Sequence, residues 1–227
     1  MTAQAGGAIP FPSRPADRMA QPTPEVRATR RRLRELRLAL EPAERTAAER
    51  AICATLIRLG VFRRGAHVAL YLPMRGEVDV RPCLAVARRQ GSHLYVPRVV
   101  SRRRRQMIFA PWNEDGAHRT NAFGILEPGS AAGARPAIGL DTIVLPLVGF
   151  DSSGNRLGMG AGFYDRALRR RLDRNATWRR PRLIGVAYAC QQLPVIPASP
   201  WDVPLDLVVT ELGTIVPARS SRERYPK

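Results

Sequence analysis

The run from Thr142 to Phe150 is apolar almost throughout and too short to cross a membrane. A strand of this kind is buried on both faces, which calls for a mostly parallel sheet with helices above and below it. The chain is therefore read as α/β. Asp151-Ser152-Ser153-Gly154 comes next, with Asp first and Gly fourth, as a type I turn favours. Further on, Phe163, Ala167, Leu168 and Leu172 recur at helical spacing, with Asp165, Arg166 and Arg169 to Arg171 on the other side. The segment between joins a strand to a helix.

That segment, Arg156 to Asp165, reads Arg-Leu-Gly-Met-Gly-Ala-Gly-Phe-Tyr-Asp. A helix N-terminus leaves backbone N–H groups unpaired, and glycines at 158, 160 and 162 let an anion approach without a Cβ in the way. Neither of the two common phosphate loops fits. A dinucleotide fingerprint starting at Gly158 needs its third glycine at 163, which is Phe163. A Walker A loop needs a lysine, and the sole lysine is Lys227. Any cation on a phosphate here is an arginine or a metal. On spacing alone, the loop suits a close-packed turn as well as it suits a phosphate site.

The flanking segments alternate in the same sense. Thr23-Pro24-Glu25 has the form of a capped helix start, for a helix running to about Leu40. Arg30 and Arg34 share one of its faces, as two solvated arginines would or as a basic pair aimed at a ligand. A second helix, Ala43 to Leu59, carries Ala48, Ile52, Leu56 and Leu59 on a core stripe. Strand His67 to Leu72 leads into a loop with Glu77 and Asp79, the latter a candidate cap for a helix over Val80 to Gln90. Ser92 to Pro97 and Gln106 to Ala110 read as strands around a solvated basic tip, Arg102 to Arg105. Gly124 to Pro128 is a turn, Trp112 and Phe123 read as packing residues, and strands Leu183 to Ala189 and Leu207 to Glu211 finish the sheet. Residues 1–23, with four prolines and no apolar periodicity, are expected to be a disordered tail, within which Met19 is an alternative start. Residues 24–216 are expected to form one domain and 217–227 a flexible end.

A formal charge of +18 would ordinarily suggest nucleic acid. Here 36 of the 37 basic residues are arginine, mostly dispersed, and the chain is rich in Ala, Gly and Pro, which reads as a compositional bias. Nucleic acid is not expected as the main partner, nor is a membrane. Cys53, Cys83 and Cys190 form no CxxC pair and are read as reduced thiols of a cytoplasmic protein. His67, His93 and His118 show no metal-ligand spacing.

Phe150 to Gly158, followed by Gly160, Gly162, Phe163, Tyr164, Asp165 and Arg166, resembles the signature of the 5-formyltetrahydrofolate cyclo-ligase family. Other pieces match in the family's order: Arg30 with Leu33-Arg34, Tyr71-Leu72-Pro73 before Gly76-Glu77-Val78-Asp79, Gly124 to Pro128, Ile184 to Tyr188, and Trp201-Asp202 before Leu205-Asp206 and Val209-Thr210-Glu211. The resemblance covers roughly residues 25–215. It implies a three-layer Rossmann-like sandwich of the NagB/RpiA/CoA-transferase-like kind. It also implies the ATP- and Mg²⁺-dependent conversion of 5-formyltetrahydrofolate to 5,10-methenyltetrahydrofolate; the chain is expected to be a monomer.

Carried over residue by residue, the resemblance puts Arg30, Arg34, Arg156 and the loop Leu157, Gly158, Met159, Gly160, Ala161, Gly162, Phe163 and Tyr164 on the nucleotide. Leu72 and Glu77 fall on the folate, with Arg156 and Glu77 as the catalytic pair, and Asp165 and Asp202 on magnesium. Two positions depart from the family pattern. Ala161 stands where Gly or Lys is usual, and would be strained by about 1 kcal/mol if its φ were positive. Ser199 stands where Glu is frequent. The rivals are an ATP-using paralogue acting on another folate-like substrate and a non-catalytic folate- or RNA-binding protein.

Overall fold

The computed structural model describes residues 23–74, 76–172 and 180–218. The expected tails fall largely outside them: 1–22, which include Met19, and 219–227 lie beyond the described residues. Helix α1, Pro24–Leu38, starts as its sequence demands. The Thr23 hydroxyl accepts from the Val26 amide at 3.3 Å, Pro24 takes the first turn and Glu25 faces its positive end. Helix α2, Pro42–Arg58, follows after a short turn. Strand β1 spans His67–Ala69 and helix α3 spans Pro82–Arg89. Asp79 does not cap α3. Its carboxylate instead accepts from the Arg81 amide and guanidinium in the turn just before the helix.

Strands β2, His93–Ser101, and β3, Gln106–Pro111, form an antiparallel pair whose tip is the arginine run 102–105. Strands β4, His118–Thr120, and β5, Leu126–Pro128, make a separate ribbon held by the buried Glu127 carboxylate, which accepts from Val99, Arg119 and Asn121. Gly124 to Pro128 is thus half turn and half strand.

The expected central strand divides. Strand β6 covers only Thr142–Pro146; β7, Gly149–Phe150, leaves the sheet and pairs antiparallel with β8, Arg156–Leu157. The break has local causes. Pro146 offers no N–H for a ladder, and Gly149 packs so tightly on α1 that a Cβ there would lie 2.6 Å from Leu33 Cδ1. The following helix is also shorter than expected. Helix α4 runs Phe163–Leu168 and tightens into a 3₁₀ turn, Arg169–Leu172, where Arg166 meets Arg169 and Arg170 at helical spacing and like charges oppose a longer helix. Strand β9, Arg182–Val186, strand β10, Leu207–Thr210, and an unforeseen antiparallel edge, β11, Gly213–Ile215, complete the set.

The sheet order is β11-β10-β9-β6-β1-β2-β3, with β10, β9, β6, β1 and β2 mutually parallel. Alternate residues enter opposite cores, as the two-residue period of a strand requires. Val68, Val144, Ile184 and Val209 pack on Ile52 and Leu56 of α2 and Leu84 of α3. Ala69, Ile143, Leu145, Leu183 and Val208 pack on Leu168 of α4 and Phe109 of β3. From β1 the chain crosses to β2 over the face covered by α3, whereas from β6 it crosses to β9 over the face covered by α4. Between β1 and β6 the two connections therefore diverge, opening a crevice at the carboxyl ends of the strands where ligands bind in open α/β sheets. Among the described residues, no helix is long and apolar enough to cross a membrane.

Candidate active site

Two connections flank that crevice, one leaving β1 and one leaving β6, and both carry residues singled out above. The β6 connection starts with the β7–β8 hairpin. The Asp151 carboxylate, 2 % exposed, is the hub of that hairpin, accepting from the amides of Ser153, Asn155 and Ile196 and from the Asn155 side chain. The Gly154 amide donates to Asp151 O, closing the expected turn.

From this anchored hairpin the glycine loop runs to α4. Gly160 and Gly162 have φ of +94° and +69°, which glycine adopts without strain. Gly158 has no such φ, and a Cβ placed on it would meet nothing within 4 Å. Internal packing thus leaves space beside Gly158 for a ligand. Ala161 is absent from the positive-φ residues among those described, so the feared strain does not arise. The amides of residues 158–162 donate to no backbone group among the described residues. With α4 only six residues long, the anion-binding capacity of this segment comes from the loop amides more than from a helix dipole.

Arg30 of α1 closes the loop from the side. Its Nε donates to Gly158 O at 2.9 Å, and its Nη1 lies 3.1 Å from where a Gly160 Cβ would stand. Arg34, one turn on, donates to Arg30 O and is exposed. Burial, then the like charge of Arg34, lowers the Arg30 pKa. Two cations crowded at a loop of free amides form an anion-seeking arrangement. Arg156, expected on the phosphates, makes its contacts here within the protein. Its guanidinium, 7 % exposed, donates to Asp165 Oδ1 and to Val203 O, tying the loop to α4 and to the segment after β9.

Asp165 and Asp202 lie close enough for the charge of one to act on the other. Burial raises the Asp165 carboxyl pKa, Arg156 opposes the rise and the charge of Asp202 adds to it. Asp202 accepts from the Ser199 amide at 2.8 Å, so Ser199 closes a turn on Asp202 through its backbone. Among the described residues no group of three or more His, Cys, Asp or Glu could hold a metal. Two neighbouring carboxylates beside a glycine loop nonetheless have the chemistry of a Mg²⁺ site, since that ion takes one or two carboxylates and fills the rest of its octahedron with other oxygens and water.

The β1 connection carries Leu72, half-buried, and Glu77. Glu77 Oε2 accepts from the Met74 amide at 3.0 Å, folding the side chain over its own turn. Burial raises its pKa, and the Met74 hydrogen bond and Arg37 hold it down. Tyr164 of the loop and Tyr71 at the end of β1 face Glu77. Burial, then the Glu77 charge, pushes both phenols well up. Tyr164 thereby joins the two connections.

Arg37 escaped the sequence reading. It is 3 % exposed, four residues after the buried Leu33 of α1. A charge on the apolar stripe of a helix was the available signal. Phe123 was read as packing but is 40 % exposed, edge-on to Phe163 at 5.9 Å and under the Arg102 guanidinium at 5.1 Å. With Arg103, Arg105 and Ala161 these residues line an open cavity of about 490 Å³ beside the loop. The basic tip thus borders this cavity, with Arg102 to Arg104 exposed to solvent as expected. Trp112 does pack, stacked on His118.

Known proteins resemble the chain over most of its length. Residues 22–211 match the model of the 5-formyltetrahydrofolate cyclo-ligase family. The 5-formyltetrahydrofolate cyclo-ligase of Haemophilus influenzae is 33 % identical over 184 residues, covering 79 % of this chain and 95 % of that protein. That of Escherichia coli K12 is 30 % identical over 179 residues, 78 % and 96 % of the two chains. The solution structure of Aquifex aeolicus 5,10-methenyltetrahydrofolate synthetase superposes with a TM-score of 0.71 at 29 % identity, covering 88 % of this chain and 96 % of that one. The Mycoplasma pneumoniae synthetase gives 0.63 at 26 % identity, covering 82 % and 99 %.

Proposed function

The chain belongs to the 5-formyltetrahydrofolate cyclo-ligase family, and we propose that it converts 5-formyltetrahydrofolate and ATP to 5,10-methenyltetrahydrofolate, ADP and phosphate. The observation that carries this reading is the loop flanked by Arg30, whose amides 158–162 donate to no backbone group among the described residues and whose Tyr164 lies within the field of the Glu77 charge.

The N5-formyl group is an amide, and its carbon is too weak an electrophile for N10 to attack and expel oxide. Transfer of the γ-phosphoryl group to the formyl oxygen turns that oxygen into a leaving group. N10 then closes the ring and phosphate departs. Catalysis of such a transfer is positioning and charge neutralisation. The amides of residues 158–162 receive the phosphates, with Arg30 and Arg34 offsetting their charge. Arg156 holds the loop against α4 and Val203, so that the amides are oriented before ATP arrives. Leu157 and Phe163 bound the nucleotide side, and Tyr164 links it to the folate side. Leu72 and Glu77 contact the folate. Asp165 and Asp202 would hold Mg²⁺, which supplies charge neutralisation on the transferring group when bound.

Residues 24–216 act as one catalytic domain, working as a monomer in the cytoplasm. Three unpaired cysteines, two of them buried, suit a reducing compartment.

The test mixes purified protein with 5-formyltetrahydrofolate and MgATP and follows near-ultraviolet absorbance, since the product carries a conjugated amidinium that the substrate lacks. An ATP-dependent rise, abolished in Asp165→Ala, is expected. A flat trace from folded protein that still binds ATP overturns the reading in favour of another folate-like substrate.

A further inference from the structure

We infer that Arg37 is a positioning residue for the folate side of the site: its buried guanidinium, seated against Gly76, is the cation behind the Glu77 turn that keeps the adjacent Glu77 a carboxylate. The inference rests on the proposed role of Glu77 and adds a residue that neither motif nor resemblance assigned.

Arg37 is 3 % exposed, although it belongs to a helix whose other arginines reach solvent or the loop. Carrying a guanidinium into the interior costs several kcal/mol unless an opposite charge and hydrogen bonds accompany it. The contacts place it at the Glu77 turn. Arg37 Nε lies 3.3 Å from where a Gly76 Cβ would stand, and Leu38 Cδ2 lies 2.8 Å from the same point. Only a glycine allows this approach, and Gly76 also adopts a φ of +77°.

Both sides of the contact are fixed. Arg45 donates to the carbonyls of Arg37 and Leu38 at 3.0 and 3.1 Å, holding the end of α1. The Glu77 amide donates to Met74 O, and the Tyr71 hydroxyl donates to Val78 O at 2.7 Å. The Asp79 amide and the Tyr188 hydroxyl both donate to Glu49 Oε1. Hydrogen bonds therefore anchor the segment Glu77 to Asp79, with Arg37 behind Gly76.

The charges around Glu77 can be named element by element. Arg37 faces it from α1, Tyr71 from the end of β1 and Tyr164 from α4, while Tyr188, beyond β9, acts on Arg37 and Tyr71. The phenols are held protonated by burial, so Arg37 is the cation in this set. Burial works against a charged Glu77, and Arg37 works for it. Helix α1 thus serves both halves of the crevice, with Arg30 on the phosphate loop and Arg37 behind the folate-side acid.

The test is a ¹³C-carboxyl NMR titration of Glu77, with the resonance assigned by Glu77→Gln, in the wild-type chain and in Arg37→Met and Arg37→Lys. In Arg37→Met the Glu77 midpoint should rise by about one pH unit or more, the effect of losing an opposite charge nearby, with Arg37→Lys in between. In kinetics, Arg37→Met should raise KM for the folate at least about tenfold with KM for ATP unchanged within twofold, a split that a loss of general packing would not produce. A midpoint unmoved in folded Arg37→Met overturns the inference. Should Arg37→Met fail to fold, an Arg37→Lys midpoint identical to wild type overturns it equally. The titration does not depend on turnover, so it stands or falls apart from the assigned reaction.

Discussion

The two connections that flank the crevice solve opposite problems. The β6 side presents backbone: free amides, glycines at φ of +94° and +69°, and one arginine laid along the loop. It is partly exposed, and its order comes from anchors outside the ligand region, the Asp151 hub and the Arg156 tie. The β1 side presents a side chain, one acid set in a buried frame of arginine and phenols. A phosphate is recognised by a field of N–H groups that any residue supplies, provided no Cβ intrudes. A single polar group on a pterin needs one acid at one place, and the surroundings must tolerate its charge.

If the β6 side depends on outside anchors, cutting the strongest of them should have the largest effect. Arg156→Ala should lower kcat by about 10²–10³, the loss typical of misplaced transition-state donors. Arg156→Lys should recover little, because a single ammonium cannot span Asp165 and Val203 in a fixed fork. Single-turnover rates would check both. A rate within tenfold of wild type in Arg156→Ala would mean that the loop orders itself.

On the β1 side, Glu77→Gln keeps shape and removes charge. Folate kcat/KM should fall about 10- to 100-fold, the worth of a hydrogen bond to a charged group, while ATP affinity by calorimetry stays within twofold. Weakening of both ligands would show that the two sides are coupled more tightly than Tyr164 alone suggests.

The glycines give a smaller and sharper contrast. Gly160→Ala forces a positive φ on a Cβ that also meets Arg30, and should cost about 1–2 kcal/mol in stability. Gly158→Ala meets nothing and keeps an ordinary φ, so its denaturation midpoint should match wild type while KM for ATP rises. Equal ATP KM values for wild type and Gly158→Ala would remove the phosphate from that point of the loop.

The same contrast explains what could be read from the chain. Loops and turns are written in consecutive residues, so Gly158 to Gly162 were legible as a strand-to-helix loop and Asp151–Gly154 as a turn, and the alternation of apolar runs implied the parallel sheet, whereas a place on the nucleotide came to the loop only through the resemblance. The break after Pro146 was not, because it depends on Gly149 meeting Leu33 of α1, more than a hundred positions earlier. Nor was the early end of α4, where apolar spacing pointed to Leu172 but the clustered arginines tightened the last turn. Arg30 was singled out only by the resemblance, since on a helix with six arginines nothing local marks one of them. Arg37 pairs with a segment forty residues away, a relation that lies in the packing of α1 against the β1 connection and in no motif.

The smallest effect bears on what each side costs the fold. Burial raises the Glu77 pKa, the Met74 amide and Arg37 opposing, and the balance remains upward. Between its unfolded and folded values, then, the folded state binds more protons than the unfolded one. The stability contribution is full below the unfolded value and is lost as pH rises through the folded value. At neutral pH the wild-type chain carries a carboxylate that the fold would rather protonate. Glu77→Gln, neutral throughout, should melt slightly above wild type at neutral pH, and the gap should close as pH falls below the usual glutamate range. A glutamine variant that melts lower at neutral pH would mean that Arg37 needs the Glu77 charge more than burial opposes it. The β1 side would then resemble the β6 side in being stabilised by its own functional charges.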